Sequence, residues 1–183
     1  ESLLALAIPL AAAPGDAAAA PSKKLSVVCV GAHPDDPETG CGATLARYAE
    51  AGHDVTIIYL TRGEAGIRGK SHEEAARIRT AEAEKACAIL GARPIFAGQI
   101  DGASEISNAR YADLDRLLTA QRPDLVFTHW PVDTHRDHCA ASLLTFQSWL
   151  RGGKKFSLLY FEVMSGEQTQ EFQAVKAADD ERF

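Results

Sequence analysis

The chain has 183 residues, of which 46% are hydrophobic and 24% are charged, so it is long enough for one globular domain with a sizeable core. Its formal net charge is −6 and no run of Lys or Arg occurs, which argues against nucleic acid or an anionic membrane as the main partner. None of the four cysteines forms a C-x-x-C pair, so we expect reduced, buried thiols rather than a disulfide framework.

The amino-terminal segment differs in composition from the rest of the chain. An apolar run from Leu3 to Ala13 precedes Pro14-Gly15-Asp16 and four alanines, which resembles the hydrophobic region and small-residue cleavage zone of a secretory signal. The run is too short to span a bilayer as a helix. We therefore assign residues 1–23 to a signal-like or disordered leader and predict export to the periplasm or the extracellular space. The alternative is a cytoplasmic protein with a disordered leader.

Residues 24–183 are expected to form the folded domain. The first strand is predicted over Leu25–Val30, a Val-rich run bounded by polar residues that is typical of a buried parallel strand. Because Pro34 and Pro37 lack amide donors and have a fixed φ, we expect a rigid, non-helical turn until after Pro37. A helix is predicted over Ala43–Ala51. The polar tail that ends at Phe183 is compatible with a domain truncated at its carboxyl end.

The turn after the first strand carries unusual chemistry. His33 offers an imidazole and Asp36 a carboxylate, and both groups are usual zinc ligands. Repulsion between Asp35 and Asp36 is relieved if one binds a cation and the other is left as a base. A catalytic zinc needs three protein ligands and an open position for water, so a third ligand has to come from another part of the chain.

Strands and helices alternate after this turn, which predicts a parallel sheet. Further strands are predicted at 54–60, 94–97, 124–128 and 157–162. The capping-box pattern at residues 71–74 opens a helix that is expected to end at Leu90, before Gly91. Another helix is expected to end near Pro123, and a last one follows His138. The expected fold is a Rossmann-like, three-layer α/β sandwich with a mostly parallel sheet.

A second His/Asp cluster follows the predicted fourth strand. His135-x-Asp137-His138 stands after that strand as the first cluster stands after strand one. The two loops converge if these strands are neighbours at a switch point of the sheet. His138 would then supply the third metal ligand and Asp137 would orient an imidazole, while His135 would be free to donate to a developing oxyanion.

The remaining polar loop and the other histidines receive weaker assignments. The glycine-rich loop 61–70 also leaves the carboxyl end of a strand and is expected to border the same site with Arg62, Glu64 and Arg68. We assign structural roles to His129 and His53, because neither has a comparable carboxylate setting. Taken alone, Asp35 and Asp36 would also fit a solvated turn or a cap of the next helix.

Several segments resemble the blocks of a known family. Ala32-His33-Pro34-Asp35-Asp36-Pro37-Glu38, followed by Gly40-Cys41-Gly42 and Thr44-Leu45, resembles the signature of the LmbE-like, or PIG-L, de-N-acetylases. Later blocks of the family resemble Thr61-x-Gly63-Glu64-x-Gly66, Arg79-x-x-Glu82 with Leu90-Gly91, and His135-x-Asp137-His138. The resemblance extends from about residue 25 to residue 162.

The resemblance implies an LmbE-like fold and a zinc-dependent amidohydrolase that removes an N-acetyl group from an N-acetylglucosamine-containing substrate. It implies one Zn²⁺ per chain, or another divalent transition metal, held by His33, Asp36 and His138. It also implies roles for other residues, which are Asp35 as general base, His135 as oxyanion stabiliser or proton donor to the amine, and Arg68 in the substrate-contacting loop. We add Asp137 to the predicted catalytic residues and Glu64 to the predicted substrate-binding residues.

Other functions remain open on the sequence alone. A metallo-phosphoesterase also uses Asp/His clusters, although a two-metal version needs extra bridging carboxylates. A catalytically inactive sugar-binding module is disfavoured because Asp35 and all three ligands are present. A dinucleotide-binding role is the weakest, because no G-x-G-x-x-G turn follows the first strand. The expected partner is a small N-acetylated sugar conjugate, and neither its aglycone nor the oligomeric state of the protein is predicted.

Overall fold

A computed structural model describes residues 23–163 of the chain. Strands and helices alternate in the order β1 (Ser26–Gly31), α1 (Asp36–Glu50), β2 (Asp54–Tyr59), α2 (His72–Leu90), β3 (Ala92–Phe96), α3 (Asn108–Gln121), β4 (Leu125–His129), α4 (Arg136–Arg151) and β5 (Ser157–Phe161). The predicted leader up to residue 22 and the tail from residue 164 lie outside the described residues.

The five strands form one parallel sheet in the order β3-β2-β1-β4-β5. β1 lies at the centre and pairs with both β2 and β4, with Val30 opposite Thr128. The chain thus winds outward in two directions from β1, and the carboxyl ends of β1 and β4 lie side by side at the switch point. This confirms the predicted adjacency of the first and fourth strands.

Helices cover both faces of the sheet. Val27 and Cys29 of β1 pack on the face covered by α1 and α2, whereas Val28 and Val30 pack on the face covered by α3 and α4. All four side chains have no exposed surface. A strand that is buried on both faces needs a continuous apolar run, which explains the Val-rich pattern of β1. The predicted three-layer α/β sandwich is confirmed.

The start of α1 differs from the sequence prediction. The helix begins at Asp36 rather than Ala43, with Pro37 in its first turn. Proline is well tolerated there, because the amide hydrogens of the first turn have no partner inside the helix. Gly31 also favours this entry, since a Cβ at that position would collide with the ring of Pro37. A local kink at Cys41, with φ −146° and ψ 15°, separates this first turn from the rest of α1.

The second helix confirms its predicted end signals. The hydroxyl of Ser71 accepts a hydrogen bond from the backbone N–H of Glu74 at 3.2 Å, and Gly91 ends α2 in the left-handed conformation with φ +69°. Within residues 23–163, no helix combines the length and the hydropathy that a membrane span requires.

The four cysteines are free thiols, as predicted. Three of them are buried and one is half-buried, namely Cys29, Cys41, Cys87 and Cys139 in that order.

Candidate metal centre

The loops after β1 and β4 bring three predicted metal ligands together. Nδ1 of His33 lies 3.0 Å from Oδ2 of Asp36, and Nε2 of His138 lies 3.3 Å from Oδ1 of the same carboxylate. The backbone N–H of His33 also donates to Asp36 Oδ2 at 2.7 Å. All three side chains are less than 10% exposed. Asp36 occupies the first turn of α1 and His138 the first turn of α4, so the two helix starts hold the cluster between them.

The far nitrogen of each histidine contacts a buried carboxylate. Nε2 of His33 lies 3.2 Å from both Asp137 Oδ2 and Asp101 Oδ1, and Nδ1 of His138 lies 2.9 Å from Asp133 Oδ2. Metal-ligating histidines commonly donate their second N–H to a carboxylate, which fixes the ring and its tautomer. Asp137 thus stands where it can orient an imidazole, and that imidazole is His33.

The loop between β3 and α3 holds Asp137 from the other side. Backbone N–H groups of Gly102 and Ser104 donate to the Asp137 carboxylate at 2.7 Å and 3.3 Å. Asp101 in turn accepts a hydrogen bond from the backbone N–H of Ala65 at 3.0 Å. The loops that follow β2 and β3 therefore meet next to His33.

Glu64 and Arg68, the two predicted substrate-binding residues, differ in their settings. Glu64 is half-buried, and its Oε2 accepts hydrogen bonds from the backbone N–H groups of Arg62 and Asp101, each at 3.2 Å. These bonds connect the β2 loop to the β3 loop, which is a bracing arrangement. Arg68 is exposed on the β2 loop. Their roles toward a substrate stay predictions.

His129, which the sequence analysis set aside as structural, belongs to the cluster. It ends β4 with no exposed surface, and its Nε2 lies 3.4 Å from Asp36 Oδ2 and 3.1 Å from the backbone nitrogen of Ala32. Its ring stacks on the ring of His138 with centroids 4.2 Å apart. The premise that His129 lacks a carboxylate setting was wrong, because the carboxylate near it lies 93 positions away (129 − 36) and is reached only through the pairing of β1 with β4.

Opposite charges shift the titration of the cluster. Burial alone would lower the pKa of His33, but hydrogen bonds to Asp101 and Asp36 raise this pKa to about 10. Burial would raise the pKa of Asp36, yet the imidazoles of His129, His138 and His33 around its carboxylate hold this pKa well below its usual range. The pKa of His138 is raised against the effect of burial by Asp36 and Asp133.

The donor set fits a divalent cation. Four aspartate side chains, each at most 10% exposed, surround two ring-oriented histidines at this end of the sheet, and they are Asp36, Asp101, Asp133 and Asp137. Buried carboxylates need compensating charge, which a cation bound by imidazole and carboxylate groups supplies. Among residues 23–163, three overlapping groups of side chains have ligand atoms close enough to share an ion, namely His33/His135/His138, Asp36/His129/His138 and His33/Asp101/Asp137. Each group contains at least one predicted ligand, and none contains all three, so the ligand set stays a prediction.

The two residues predicted to act on the substrate lie beside the ligands. Asp35 precedes α1 with its side chain 65% exposed and contacts Arg79 of α2, with Oδ2 2.7 Å from the guanidinium. The ring of His135 lies 4.7 Å from the rings of both His33 and His138, measured between centroids. Nδ1 of His135 accepts a hydrogen bond from the N–H of Asp137 at 3.3 Å. Any proton on the neutral ring is therefore carried by Nε2.

The pKa of His135 is lowered by burial and by the nearby charges of His33 and His138, which favours a neutral imidazole. A neutral ring with hydrogen on Nε2 still has one donor to offer.

Sequence reasoning missed Asp101, Asp133 and Arg79 as parts of the site. Asp133 stands in the same dense stretch as His135 and His138, and Asp101 follows the carboxyl end of β3, so both positions obeyed the rule that places ligands at strand ends. Arg79 lies on α2 and is part of a family block that the sequence analysis quoted without assigning it a role.

Comparison with known proteins decides the relationship. The family model PIG-L, described as GlcNAc-PI de-N-acetylase, matches residues 28–149, which is more than half of the chain. The chain belongs to the PIG-L family. This membership confirms the resemblance that the first and last sequence blocks indicated.

Similar proteins of the PIG-L family include deacetylases. The chain is 32% identical over 128 residues to the uncharacterized deacetylase YaiS of Escherichia coli, a match that covers 65% of each protein. It is 31% identical over 130 residues to the diacetylchitobiose deacetylase of Thermococcus kodakarensis, which covers 67% of this chain and 48% of that one. The structure of N,N'-diacetylchitobiose deacetylase from Pyrococcus horikoshii matches with a TM-score of 0.65 at 29% identity, covering 68% of this chain and 49% of that one. The chain thus spans about half to two thirds of the length of these relatives.

Proposed function

We propose that this PIG-L family protein is a zinc-dependent amidohydrolase that removes the N-acetyl group from an N-acetylglucosamine-containing sugar. The observation that carries the proposal is the convergence of His33, Asp36 and His138 at the ends of β1 and β4, with Asp35 and His135 beside them. The diacetylchitobiose deacetylases of Thermococcus kodakarensis and Pyrococcus horikoshii, which are named for an N-acetylated sugar, support the substrate class.

His33, Asp36 and His138 would hold the ion. When bound, zinc supplies a Lewis acid that polarises the amide carbonyl and acidifies the attacking water. The carboxylates of Asp137 and Asp133 orient the two histidines through their second nitrogens. Buried as they are, these partners keep the ligand atoms in a fixed arrangement before the substrate arrives.

Asp35 is the proposed general base. Its side chain is more than half exposed, so water can reach its carboxylate. Asp35 lies two residues after His33, in the turn between β1 and α1. The carboxylate takes a proton from the attacking water and holds it as the tetrahedral intermediate forms. The neighbouring Asp36 remains ionised because three histidines surround it, which leaves the two adjacent carboxylates with different tasks.

His135 is the proposed donor to the oxyanion. The backbone N–H of Asp137 occupies its Nδ1, so the N–H of Nε2 is the hydrogen that the ring can offer. That N–H donates to the carbonyl oxygen as negative charge develops there, an interaction that strengthens in the transition state. The carbon–nitrogen bond of the intermediate then breaks, and the departing amine receives the proton that Asp35 took from water, which leaves acetate and a free amino group on the sugar.

Arg68 and Glu64 are proposed to contact the sugar from the β2 loop. The exposed guanidinium of Arg68 suits a polar hydroxyl-bearing ligand better than an apolar one.

Export is a further proposal that rests on the leader sequence of residues 1–23, and it is checked by the amino-terminal sequence of the mature protein from its native host. A mature protein that begins between about residues 13 and 23 is expected, whereas intact residues 1–12 on cytosolic protein would contradict export.

The deciding experiment combines metal analysis with a substrate panel. The purified chain is loaded with zinc and incubated with N-acetylglucosamine, diacetylchitobiose and N-acetylglucosaminyl inositols, and released acetate is measured. We expect acetate release that stops after chelation and returns when zinc is restored. Asp36→Ala is the matched negative control, since it removes a proposed ligand. Phosphate release from phosphomonoesters without acetate release would instead identify a metallo-phosphoesterase, and metal-independent sugar binding alone would identify an inactive binding module.

A further inference from the structure

Arg79 of α2 reaches across to the turn that precedes α1. One guanidinium nitrogen, Nη2, donates to Oδ2 of Asp35 at 2.7 Å and also to the carbonyl oxygen of Pro34. The Arg79 side chain is only 16% exposed, whereas the Asp35 side chain is 65% exposed. A mostly buried guanidinium thus binds two consecutive residues of the turn, while the Asp35 carboxylate remains accessible to solvent.

The turn that Arg79 contacts has a strained backbone. Asp35 has φ +101° and ψ −32°, a conformation that residues with a side chain rarely adopt. Such conformations persist only when surrounding contacts enforce them. The backbone N–H of Asp35 donates to Glu38 at 3.1 Å, and its carbonyl accepts from Thr39 at 2.8 Å, so local bonds hold the side of the turn toward α1. Arg79 contacts Pro34 and Asp35 from a different helix.

Two glycines of the β2 loop make room for the guanidinium. A Cβ at Gly63 or at Gly66 would overlap the guanidinium group of Arg79. The glycine pattern of the β2 loop and the arginine of the α2 block therefore form one structural unit around Asp35.

The burial of Arg79 is costly, which argues for a specific task. Its Nε is buried and has no hydrogen-bond partner among residues 23–163. An unsatisfied donor on a charged group opposes folding, so packing alone would favour an apolar side chain at this position. The contacts that do compensate Arg79 go to Pro34 and Asp35.

We propose that Arg79 is a positioning residue that fixes the Asp35 carboxylate and its strained turn in the orientation required for proton abstraction. This inference rests on the proposed function, because it assumes that Asp35 is the general base. Arg79 touches neither the proposed ligands nor the reacting atoms, and acts through Asp35. Gly63 and Gly66 are required because any side chain there would displace the guanidinium.

The kinetic test compares three variants. Arg79→Met removes the guanidinium, and Arg79→Lys keeps the positive charge and so controls for misfolding caused by loss of that charge. Arg77→Met is the matched control. Arg77 lies exposed on the same helix. Misplacing a catalytic group costs about 10- to 100-fold, so we expect Arg79→Met to lower kcat by that factor while KM and the zinc content stay within about twofold. Arg79→Lys should lose less, and Arg77→Met should match the wild type. An unchanged kcat in Arg79→Met, or an equal loss of zinc, would overturn the proposal.

A double-mutant cycle separates positioning from general stabilisation. In an Asp35→Asn background the base is absent, so Arg79→Met should cause no further loss of kcat beyond about twofold. A residue that only stabilises the fold would lower the rate by the same factor in both backgrounds, and this result would refute the proposal.

Hydrogen exchange followed by mass spectrometry gives a readout that needs no activity. Amides in the peptide 33–40 should exchange faster in Arg79→Met than in Arg77→Met, while peptides of the sheet remain unchanged. Equal exchange in the two variants would contradict the proposal even if the wild type proved inactive. Absence of acetate release by the wild type, with this exchange difference present, would refute the assigned reaction and leave the ordering of the turn by Arg79 established.

Discussion

Nε2 of His33 lies 3.2 Å from Oδ2 of Asp137, although the two residues are 104 positions apart in the chain. The contact turns Nδ1 of His33 toward Asp36 and thereby defines which nitrogen faces the proposed ion. His138 has the reverse arrangement, with Nδ1 on Asp133 and Nε2 toward Asp36. Two buried carboxylates thus orient two imidazoles toward the carboxylate of Asp36.

The first prediction concerns the metal ligands. Substituting His138 by Ala should abolish stoichiometric zinc binding, because it removes one of three ligands and leaves Asp133 without its imidazole partner. His129→Ala should reduce zinc affinity by about 10- to 100-fold, the usual effect of losing a residue that supports a ligand. His72→Ala, on the exposed start of α2, is the matched control and should bind zinc normally. Zinc content after dialysis checks all three variants, and full zinc in His138→Ala would remove it from the ligand set.

The second prediction separates the two adjacent carboxylates. Asp35→Asn should retain zinc and lose about 100- to 10,000-fold in rate, the usual range for general-base catalysis. Asp36→Ala should lose zinc instead, since its carboxylate contacts the imidazoles of His33 and His138. Parallel measurement of zinc content and kcat distinguishes the roles. Equal loss of zinc in both variants would show that the assignment of base and ligand is wrong.

The third prediction concerns His135. Its replacement by Ala should lower kcat by about 100- to 1,000-fold with little change in KM, because a donor to the oxyanion acts mainly in the transition state. The substitution also removes a side-chain cap of α4, since Nδ1 accepts from the N–H of Asp137. Melting temperature must therefore be measured beside kinetics and zinc content. Full zinc, near-normal melting and an unchanged kcat would exclude the oxyanion role, and lost zinc would make His135 a fourth ligand.

The fourth prediction concerns the pH dependence of zinc binding. In the metal-free protein His33 carries a proton up to a pKa of about 10, because hydrogen bonds to Asp101 and Asp36 outweigh the effect of burial. Zinc has to displace that proton, so the apparent affinity should rise about tenfold per pH unit for each proton displaced between pH 7 and pH 9. His138, whose pKa is also raised, contributes to this count, whereas Asp36 adds no proton because its pKa is held low. Competition with a zinc-binding dye of known pH dependence measures the slope, and a flat profile would contradict the protonated state of His33.

The same proton predicts the stability of the metal-free protein. The folded pKa of His33 lies above its unfolded value of about 6.5, so its contribution to the free energy of unfolding is fully present below pH 6.5. That contribution is lost as the pH rises through about 10. Melting temperature in the presence of chelator should therefore fall more between pH 8 and pH 10.5 for the wild type than for His33→Gln. Identical slopes in the two proteins would mean that His33 is not charged in the metal-free fold.

Local patterns were enough to predict the fold class and the first set of ligands. The apolar run of β1, the capping signal at Ser71 and the left-handed stop at Gly91 act over a few residues, and the structure confirms each. The His/Asp clusters that follow two of the predicted strands also predict that their side chains converge, because parallel strands bring their carboxyl ends to the same edge of the sheet. The predicted start of α1 at Ala43 was wrong, because a helix tolerates proline in its first turn and α1 begins at Asp36, just before Pro37.

The sequence by itself thus determined the parallel α/β architecture and placed His33, Asp36 and His138 at one edge of the sheet. Only the tertiary structure decided which other side chains contact these three residues. Asp101 contacts Nε2 of His33, and His129 contacts the carboxylate of Asp36. It also decided that Arg79 reaches Asp35 from a different helix. The contact between Arg79 and Asp35 joins residues 44 positions apart, and the contact between His129 and Asp36 joins residues 93 positions apart (129 − 36). Such contacts depend on strand order and helix packing, which no local pattern of hydrophobic and polar residues encodes.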